Sequence, residues 1–244
     1  MINPMRLNRY LALCGLGSRR ACEEIISCGG VRINGRPVRE LATVVMPGDT
    51  VFARGREVRP AELRYIVLNK PAGCVSSRQP QGAKATVYDI LPRDAASLPH
   101  VGRLDADSEG LLLFTNDGAL ARDITHPSRH VEKEYKVVTD KPFDPAHIAK
   151  LLKGIYLEEG RAKAARVHVE ASNNVRVVLT QGINRQVRRM FAALGYKVKK
   201  LTRTRLGPLG LGRLPRGAWR ELSPREVEGL RKASIGEFPG RRAR

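Results

Sequence analysis

Residues 100–118 read His-Val-Gly-Arg-Leu-Asp-Ala-Asp-Ser-Glu-Gly-Leu-Leu-Leu-Phe-Thr-Asn-Asp-Gly, and no other segment is as informative about the structure of the chain. The apolar run 111–115 predicts a buried strand, and Asn-Asp-Gly at 116–118 predicts a tight turn at its end. A loop beside a core strand is held rigidly yet stays accessible, which suits it to chemistry. Charged residues occupy that loop at Arg103, Asp105, Asp107 and Glu109.

The charge of the chain is large and unevenly distributed. The formal net charge is +20 over 244 residues. Residues 1–60 contain 10 Arg and 5 acidic residues, a net +5, and residues 181–244 contribute +13, which leaves +2 for the middle. This asymmetry predicts a polyanionic partner, and the excess of Arg favours phosphate contacts and stacking on bases. An arginine-rich proteome would explain the preference for Arg over Lys but not the near-neutral middle.

Composition excludes several other classes. Hydrophobic residues make up 42% of the chain, but no apolar run approaches the length that crosses a bilayer, and the first residues lack a secretion signal. The sequence therefore predicts a cytoplasmic protein that does not bind membranes. The four cysteines form no Cys-x-x-Cys pair and have no histidine at ligand spacing, so we expect reduced thiols and no metal site.

The first 60 residues show the pattern of a small RNA-binding domain. Helices are predicted over 6–14 and 19–28, the second with Ser18 as its N-cap, followed by short strands around turns at 34–35 and 47–49. This order resembles the S-four-like RNA-binding domain, named after a ribosomal protein. A generic small domain with solvated arginines stays open as the alternative. The resemblance implies a basic RNA-binding face made of Arg6, Arg9, Arg19, Arg20 and Arg32.

The rest of the chain predicts an α+β domain with a mixed sheet. The charged segment 54–64 is typical of a linker, and strands interleave with helices of mixed length thereafter. We expect a small N-terminal α/β domain over 1–60, a catalytic domain over 61–233 and a basic disordered tail over 234–244. Trp219 is expected in the core. The predicted elements are strands at 65–69, 111–115, 133–138, 165–170, 174–180 and 198–206, and helices at 86–91, 119–124, 145–153, 185–194 and 224–231.

Residues 102–118 resemble the signature of the RNA pseudouridine synthases, in the RsuA/RluB-type branch that acts on ribosomal RNA. The signature is Gly-Arg-Leu-Asp, two variable residues, Ser or Thr, a variable residue, Gly-Leu-Leu, and a Thr-Asn-Asp-Gly turn. Asn-Lys-Pro-x-Gly at 69–73 is a second signature of that family. The resemblance implies the mixed-sheet synthase fold and conversion of a uridine to pseudouridine. This reaction involves no redox change and no energy input, so no cofactor is expected.

The family resemblance also assigns roles to residues in the predicted site. Asp105 is implied as the catalytic nucleophile. Because burial alone would raise the pKa of a carboxyl group, a cation is needed beside it. The resemblance of 182–190 to the family's third motif gives that role to Arg188, with Arg185 as its substitute. Arg185 and Arg189 are four residues apart on the predicted helix, so all three arginines are expected along one RNA-binding groove; a solvated helix face is the alternative.

Tyr135 and Arg103 complete the predicted site. Tyr135 resembles the active-site tyrosine of the family, which offers a flat partner to a flipped uracil and can handle a proton; a core tyrosine is the alternative. Arg103 is suited to hold the RNA backbone or replace the flipped nucleotide, or to form a structural salt bridge. Asp-x-Asp-x-Glu-Gly at 105–110 imitates a calcium loop, but the bidentate glutamate at its twelfth position is missing.

Together these features predict an enzyme that acts on ribosomal RNA, with the large-subunit RNA favoured. Its partner is ribosomal RNA, either free or within a ribosomal assembly intermediate. Two other classes stay open: a non-catalytic ribosome-assembly factor with the same fold, and a ribosomal protein. The near-neutral middle of the chain disfavours the ribosomal protein, and the set Asp105, Tyr135 and Arg188 disfavours the assembly factor.

Overall fold

The computed structural model describes residues 4–236, which divide into two compact units after Leu63. We refer to residues 4–63 as the N-terminal unit and to residues 64–236 as the C-terminal unit. Most of the predicted disordered tail, 237–244, lies outside the described residues. Ser234, the first residue of that predicted tail, is instead the buried last residue of a helix.

The N-terminal unit has the predicted order of two helices followed by short strands. Helix α1 spans Leu7–Leu13 and helix α2 spans Arg19–Ser27. Ser18 caps α2, because its Oγ accepts a hydrogen bond from the Ala21 amide at 3.2 Å. The strands are β1 (Met5–Arg6), β2 (Val31–Ile33), β3 (Arg36–Val38), β4 (Val44–Val45), β5 (Val51–Ala53) and β6 (Arg56–Glu57).

The strands of this unit form two small sheets, β1–β4 and β3–β2–β5–β6. Its core joins apolar residues of both helices to the inner faces of β2 and β5, with Leu7, Leu11, Ile26 and Val51 fully or nearly fully buried. Strand β6 lies inside the predicted linker 54–64 and pairs with β5, so part of that segment belongs to the folded unit.

The C-terminal unit is built around one large mixed sheet, as predicted. Its strands run in the order β13–β14–β10–β15–β9–β7–β17, with β16 paired to β15 and β8 to β9. The strands are β7 (Tyr65–Lys70), β8 (His100–Val101), β9 (Glu109–Thr115), β10 (Lys133–Thr139), β11 (Ile155–Leu157), β12 (Gly160–Ala162), β13 (Arg166–Ala171), β14 (Asn174–Leu179), β15 (Val198–Leu206), β16 (Leu209–Gly210) and β17 (Trp219–Glu221).

Four helices accompany this sheet. They are α3 (Gly118–Thr125), α4 (His147–Lys153), α5 (Gln186–Ala193) and α6 (Pro224–Ser234). Asp117 caps α3 by accepting hydrogen bonds from two amides of the first turn at 3.1 Å, and Ser223 with Glu226 forms a capping box on α6. The segment predicted as a helix over 86–91 is only a 3-10 turn over Val87–Asp89, since Pro92 stops it.

Strand β9 is the central buried element, because all seven of its residues are buried. Leu112 and Phe114 point into one apolar cluster, while Leu111 and Leu113 point into another on the opposite face. Burial on both faces explains why the sequence shows a continuous apolar run here rather than alternation.

The pairing of β9 with β15 is parallel, and it brings two backbones unusually close at Gly110. Gly110 has φ +105°, and a Cβ atom there would overlap the carbonyl oxygen of Arg203 and lie 2.7 Å from its amide nitrogen. Only glycine fits both the backbone conformation and this approach. Gly110 of the signature therefore allows β9 and β15 to pack closely, next to the loop that contains Asp105.

Trp219 is not a core residue, contrary to the expectation. It lies on β17, at the edge of the large sheet, where 38% of its surface is exposed. Residues on an edge strand alternate between the core and solvent, and Trp219 faces solvent.

Candidate active site

A cavity of about 330 Å³ opens in the C-terminal unit beside the signature loop. Three parts of the fold surround it: the loop 102–105 with Ser108, the segment 181–187 before and into α5, and one face of the large sheet. The sheet face presents Lys133, Tyr135, Leu179, Leu201 and Arg203 to the cavity.

The loop that contains Asp105 is held from below by a buried lysine. Lys70, at the end of β7, has no exposed surface, and its Nζ donates hydrogen bonds to the carbonyls of Pro71 (3.0 Å), Asp105 (3.1 Å) and Ser108 (2.7 Å). Burial lowers the pKa of Lys70, while the acidic residues of the loop partly oppose that effect. Lys70 thus fixes the backbone of Asp105 without using its carboxylate.

The Asp105 carboxylate faces the cavity and is left nearly free. Its side chain is 31% exposed, and the nearest cation is Arg185, whose Nη1 lies 3.6 Å from Oδ2 of Asp105. That distance is an ion pair rather than a hydrogen bond. The carboxylate therefore keeps lone pairs available for a ligand in the cavity.

Arg188 does not pair with Asp105, contrary to the expectation from the motif. Its Nε lies 3.2 Å from Oδ2 of Asp107, and its other nitrogens donate to the carbonyls of Val198 (2.9 Å) and Asp107 (2.8 Å). These contacts turn the guanidinium away, and Arg188 is absent from the cavity lining. Burial lowers the pKa of Arg188 although Asp107 opposes the shift.

The three arginines of the motif also do not share one groove. Arg185 is the N-cap of helix α5 and has a left-handed backbone with φ 46°, so its side chain does not continue the helix face that contains Arg189. Arg189 instead forms hydrogen bonds of 2.7 Å to both carboxylate oxygens of Glu159. Of the three, Arg185 alone lines the cavity.

Asp107 takes the arginine contacts that were expected at Asp105. Arg185 donates to its two oxygens at 3.2 and 2.9 Å. Burial acts to raise the pKa of the Asp107 carboxyl, but the hydrogen bonds from Arg185 and the charges of Arg188 and Arg185 lower it overall. Asp107 is therefore an anchor that holds both arginines at the loop.

Tyr135 lies on the face of the large sheet that borders the cavity. It is half-buried on β10, directly opposite Arg203 of β15 and Val177 of β14, and packs against two apolar clusters while lining the cavity. Arg103 is exposed and also lines the cavity. Asp105, Tyr135, Arg103 and Arg185 are thus brought together from segments far apart in sequence.

Three side chains at or beside the cavity were not predicted from the sequence. Lys70 belongs to the Asn-Lys-Pro-x-Gly signature at 69–73, and its place at the end of the apolar strand 65–70 is a signal of a buried cation. Lys133 is two residues before Tyr135 and so lies on the same strand face, which alternation could have indicated. Arg203 lies on the predicted strand 198–206, but nothing in the sequence shows that it is buried: it is 3% exposed and donates from Nε to the Leu111 carbonyl at 2.7 Å.

The arginines predicted on the N-terminal unit lie on several of its elements. Arg6 is on β1, Arg9 on α1, and Arg32 on β2, while the other two belong to the first turn of α2. All are exposed except Arg9, which is half-buried. Their role in RNA binding stays a prediction.

Neither a membrane helix nor a metal cluster emerges from the described part of the chain. None of the helices in residues 4–236 combines the length and apolar character needed to span a bilayer. No group of three or more His, Cys, Asp or Glu side chains in that range is positioned to hold a metal ion.

Comparison with known proteins matches both units. Residues 64–193 match the family model described as RNA pseudouridylate synthase, and residues 5–51 match the S4 domain. The ribosomal large subunit pseudouridine synthase B of Bacillus subtilis is 38% identical over 233 residues, which cover 93% of this chain and 95% of that protein. The dual-specificity RNA pseudouridine synthase RluF of Escherichia coli is also 38% identical over 233 residues, covering 94% and 79%.

A solved structure confirms the fold. The crystal structure of a pseudouridylate synthase superposes with a TM-score of 0.69 at 33% identity, and the match covers 93% of this chain and 99% of that one. An S4 domain followed by a mixed-sheet domain, with a cavity beside the signature aspartate, defines a class of RNA-modifying enzymes. The chain belongs to the RNA pseudouridine synthase family. The predicted fold class and enzyme class are thereby confirmed.

Proposed function

We propose that this chain isomerises a specific uridine of ribosomal RNA to pseudouridine, with the large-subunit RNA as its target. The observation that carries the proposal is the match of nearly the whole chain to a relative named as a large-subunit synthase, at 38% identity. The S4 domain at residues 5–51 supplies a module for RNA, and the +13 charge of residues 181–244 suits a polyanion.

Asp105 is the nucleophile in this proposal. Pseudouridine formation breaks the bond between C1′ of the ribose and N1 of uracil, and reconnects the ribose to C5 of the same base. A carboxylate that is fixed by its backbone, exposed to the cavity and not consumed by a hydrogen-bonded partner can approach the nucleoside. Arg185, whose Nη1 lies 3.6 Å from Oδ2 of Asp105, places a positive charge beside the carboxylate without covering it.

Tyr135 and Arg103 handle the flipped nucleotide. The half-buried Tyr135 lines the cavity, where its ring offers a stacking surface to an extruded base. Arg103 is exposed at the same cavity, where it can contact the RNA backbone or fill the gap that the uridine leaves. Arg188 supports this site indirectly, since it holds the Asp107 end of the loop.

The exposed arginines of the N-terminal unit extend the RNA contact in this proposal. The substrate is ribosomal RNA, free or in a ribosomal assembly intermediate, and the protein works in the cytoplasm where ribosomes assemble. Arg189 is a weaker candidate for RNA binding, because Glu159 already neutralises it.

The competing function is that of an assembly factor that binds rRNA without modifying it. The convergence of Asp105 and Tyr135 on one cavity favours the enzyme, because binding alone does not require a free carboxylate there. Pseudouridine mapping across all rRNAs of cells with and without the gene tests this: one site is expected to disappear.

Complementation with Asp105→Asn separates the two functions. Lys70 contacts the Asp105 carbonyl and not its side chain, so the variant is expected to fold normally. Modification should fall by more than about a thousandfold, as for the loss of a nucleophile. If the site is modified equally with and without the gene, or if D105N restores full modification, the enzyme proposal is wrong.

A further inference from the structure

Arg203 presents an unsatisfied charged donor to the cavity. The residue is 3% exposed, and its Nη2 is buried without a hydrogen-bond partner in residues 4–236. A buried donor of a charged group is costly when it is left unpaired. Because Arg203 lines the cavity, a ligand there is the natural partner for Nη2.

Lys133 places a second cation beside it. Its Nζ donates to the Val131 carbonyl at 3.2 Å, and its side chain lines the same cavity. Burial, and next the charge of Arg203, lower the pKa of Lys133 to about 8. Within the described residues no salt bridge links either cation to a carboxylate.

The two cations flank Tyr135 on one face of the sheet. Lys133 and Tyr135 are two residues apart on β10, and Arg203 pairs directly with Tyr135 across to β15. The titratable groups that line the cavity are Arg103, Asp105, Lys133, Tyr135, Arg185 and Arg203. The single carboxylate among them, Asp105, is on the loop, 3.6 Å from Arg185.

The position of the pair indicates which part of a nucleotide it meets. The phosphates of a flipped nucleotide continue into the neighbouring strand and must stay at the mouth of the cavity, where the exposed Arg103 and Arg185 lie. The base enters furthest. Lys133 and Arg203 are less exposed than Arg103 and Arg185 and line the cavity beside Tyr135, on which the base would stack. We therefore expect them to reach the base rather than the phosphates.

We propose that Lys133 and Arg203 bind the carbonyl oxygens of the flipped uracil and stabilise the negative charge of the base while it is detached from the ribose. This inference rests on the proposed function of the site. Both side chains are donors only, which matches the acceptors O2 and O4 of uracil. Cytosine would place an amino donor where uracil has O4, so the same pair disfavours cytidine.

The chemistry of the reaction shows where the negative charge on the base arises. When the C1′–N1 bond breaks, its electron pair stays on the uracil, which becomes a monoanion with charge on N1, O2 and O4. The Asp105 carboxylate balances the electron-deficient C1′. After the base turns, C5 attacks C1′, the proton on C5 leaves, and N1 takes up a proton, so the product is an isomer of the substrate. Hydrogen-bond donors directed at O2 and O4 stabilise the uracil most strongly while it is detached and negatively charged.

The test measures single-turnover pseudouridine formation on large-subunit rRNA isolated from cells that lack the gene. Lys133→Met is expected to slow the step at saturating rRNA by roughly ten- to a hundredfold, the range for one hydrogen bond to a charged group. Arg203→Lys, which removes Nη2 but keeps a charge, is expected to cost about tenfold. Lys136→Met is the matched control, because Lys136 is exposed on the opposite face of β10, with Glu170 at 3.5 Å, and its rate should be unchanged.

The pH profile supplies a readout that a structural role would not change. For the wild type, kcat/KM should fall above about pH 8 as Lys133 loses its proton. In Lys133→Arg the charge persists, so that decline should move to higher pH. If both enzymes decline at the same pH, Lys133 does not supply the charge.

Two further results would overturn the inference. If Lys133→Met weakens rRNA binding and makes it less salt-dependent while the saturated rate is unchanged, the pair binds a phosphate. If Lys133→Met and Arg203→Lys both react at the wild-type rate, the pair does not act on the base. In each case the wild type still forms pseudouridine; a wild type that forms none contradicts the proposed function instead.

Discussion

Replacing Gly110 with alanine is expected to destabilise the C-terminal unit by about 2–6 kcal/mol. Two terms contribute. The φ of +105° is unfavourable for any residue with a Cβ, at a cost of about 1–3 kcal/mol. The new Cβ would overlap the backbone of Arg203 on the neighbouring strand, which cannot rotate away, and such overpacking costs about 1–3 kcal/mol more.

Gly160→Ala is the matched control for this substitution. Gly160 has a similar φ of +120° at the turn between β11 and β12, but no atom lies within 4 Å of the position of its Cβ. Gly160→Ala therefore measures only the cost of placing a Cβ on a residue with positive φ. The difference between the two variants isolates the close approach of β9 and β15.

The assay is urea unfolding followed by the fluorescence of Trp219. This residue is the only tryptophan of the chain and lies in the large sheet of the C-terminal unit, so its signal reports that unit. With a slope of about 2 kcal/mol per molar urea, a loss of 4 kcal/mol lowers the midpoint by about 2 M. If Gly110→Ala unfolds within about 0.5 kcal/mol of Gly160→Ala, a range typical of neutral substitutions, the steric reasoning is refuted.

Three further predictions concern charged residues. Hydrogen bonds from Arg220 lower the Glu226 pKa from 4.5 to about 2, against the effect of burial, so this carboxylate stabilises the folded state above pH 4.5 and loses that effect toward pH 2. E226Q should thus be about 1 kcal/mol less stable at pH 7, allowing for solvent screening, with thermal melting curves that converge with those of the wild type near pH 2. K70M leaves three carbonyls without their donor and should lower the free energy of unfolding by about 3 kcal/mol in urea titrations; a change below 1 would contradict its anchoring role. R188M should lower the free energy of unfolding by about 2 kcal/mol, because Arg188 donates to two carbonyls. Arg185 is more exposed, so R185M should lower it by less than about 1 kcal/mol. If thermal denaturation shows the reverse order, this assignment is wrong.

The sequence predicted helices, strands and caps correctly where each depends only on neighbouring residues. The Ser18 cap and the strands β10 and β14 depend on a few adjacent positions, and the structure reproduces them. The strands β11 and β12 were missed because each has three residues, too few for a period to emerge.

The partners of the site arginines could not be predicted from local patterns. Which carboxylate Arg188 meets depends on how α5 docks against a loop some 80 positions earlier in the chain. The start of α5 also differs from the prediction. Arg185 adopts a left-handed backbone conformation, so α5 begins one position later than predicted. The ends of helices are the part of an element that a sequence predicts least well. Here the N-terminal end of α5 carries Arg185, which lines the cavity.

The division of labour between Asp105 and Asp107 follows from charge and geometry. A carboxylate that formed short hydrogen bonds to two arginines would be stabilised as an anion, and those bonds would have to break before it could react with a sugar or a base. Asp107 takes the arginine contacts instead: Arg185 donates hydrogen bonds to its two oxygens, and Arg188 forms an ion pair with it at 3.2 Å. Asp105 keeps one cation at 3.6 Å and a backbone fixed by Lys70. Asp107 thereby holds the arginines near Asp105 without covering its carboxylate, which leaves that carboxylate accessible to a substrate in the cavity.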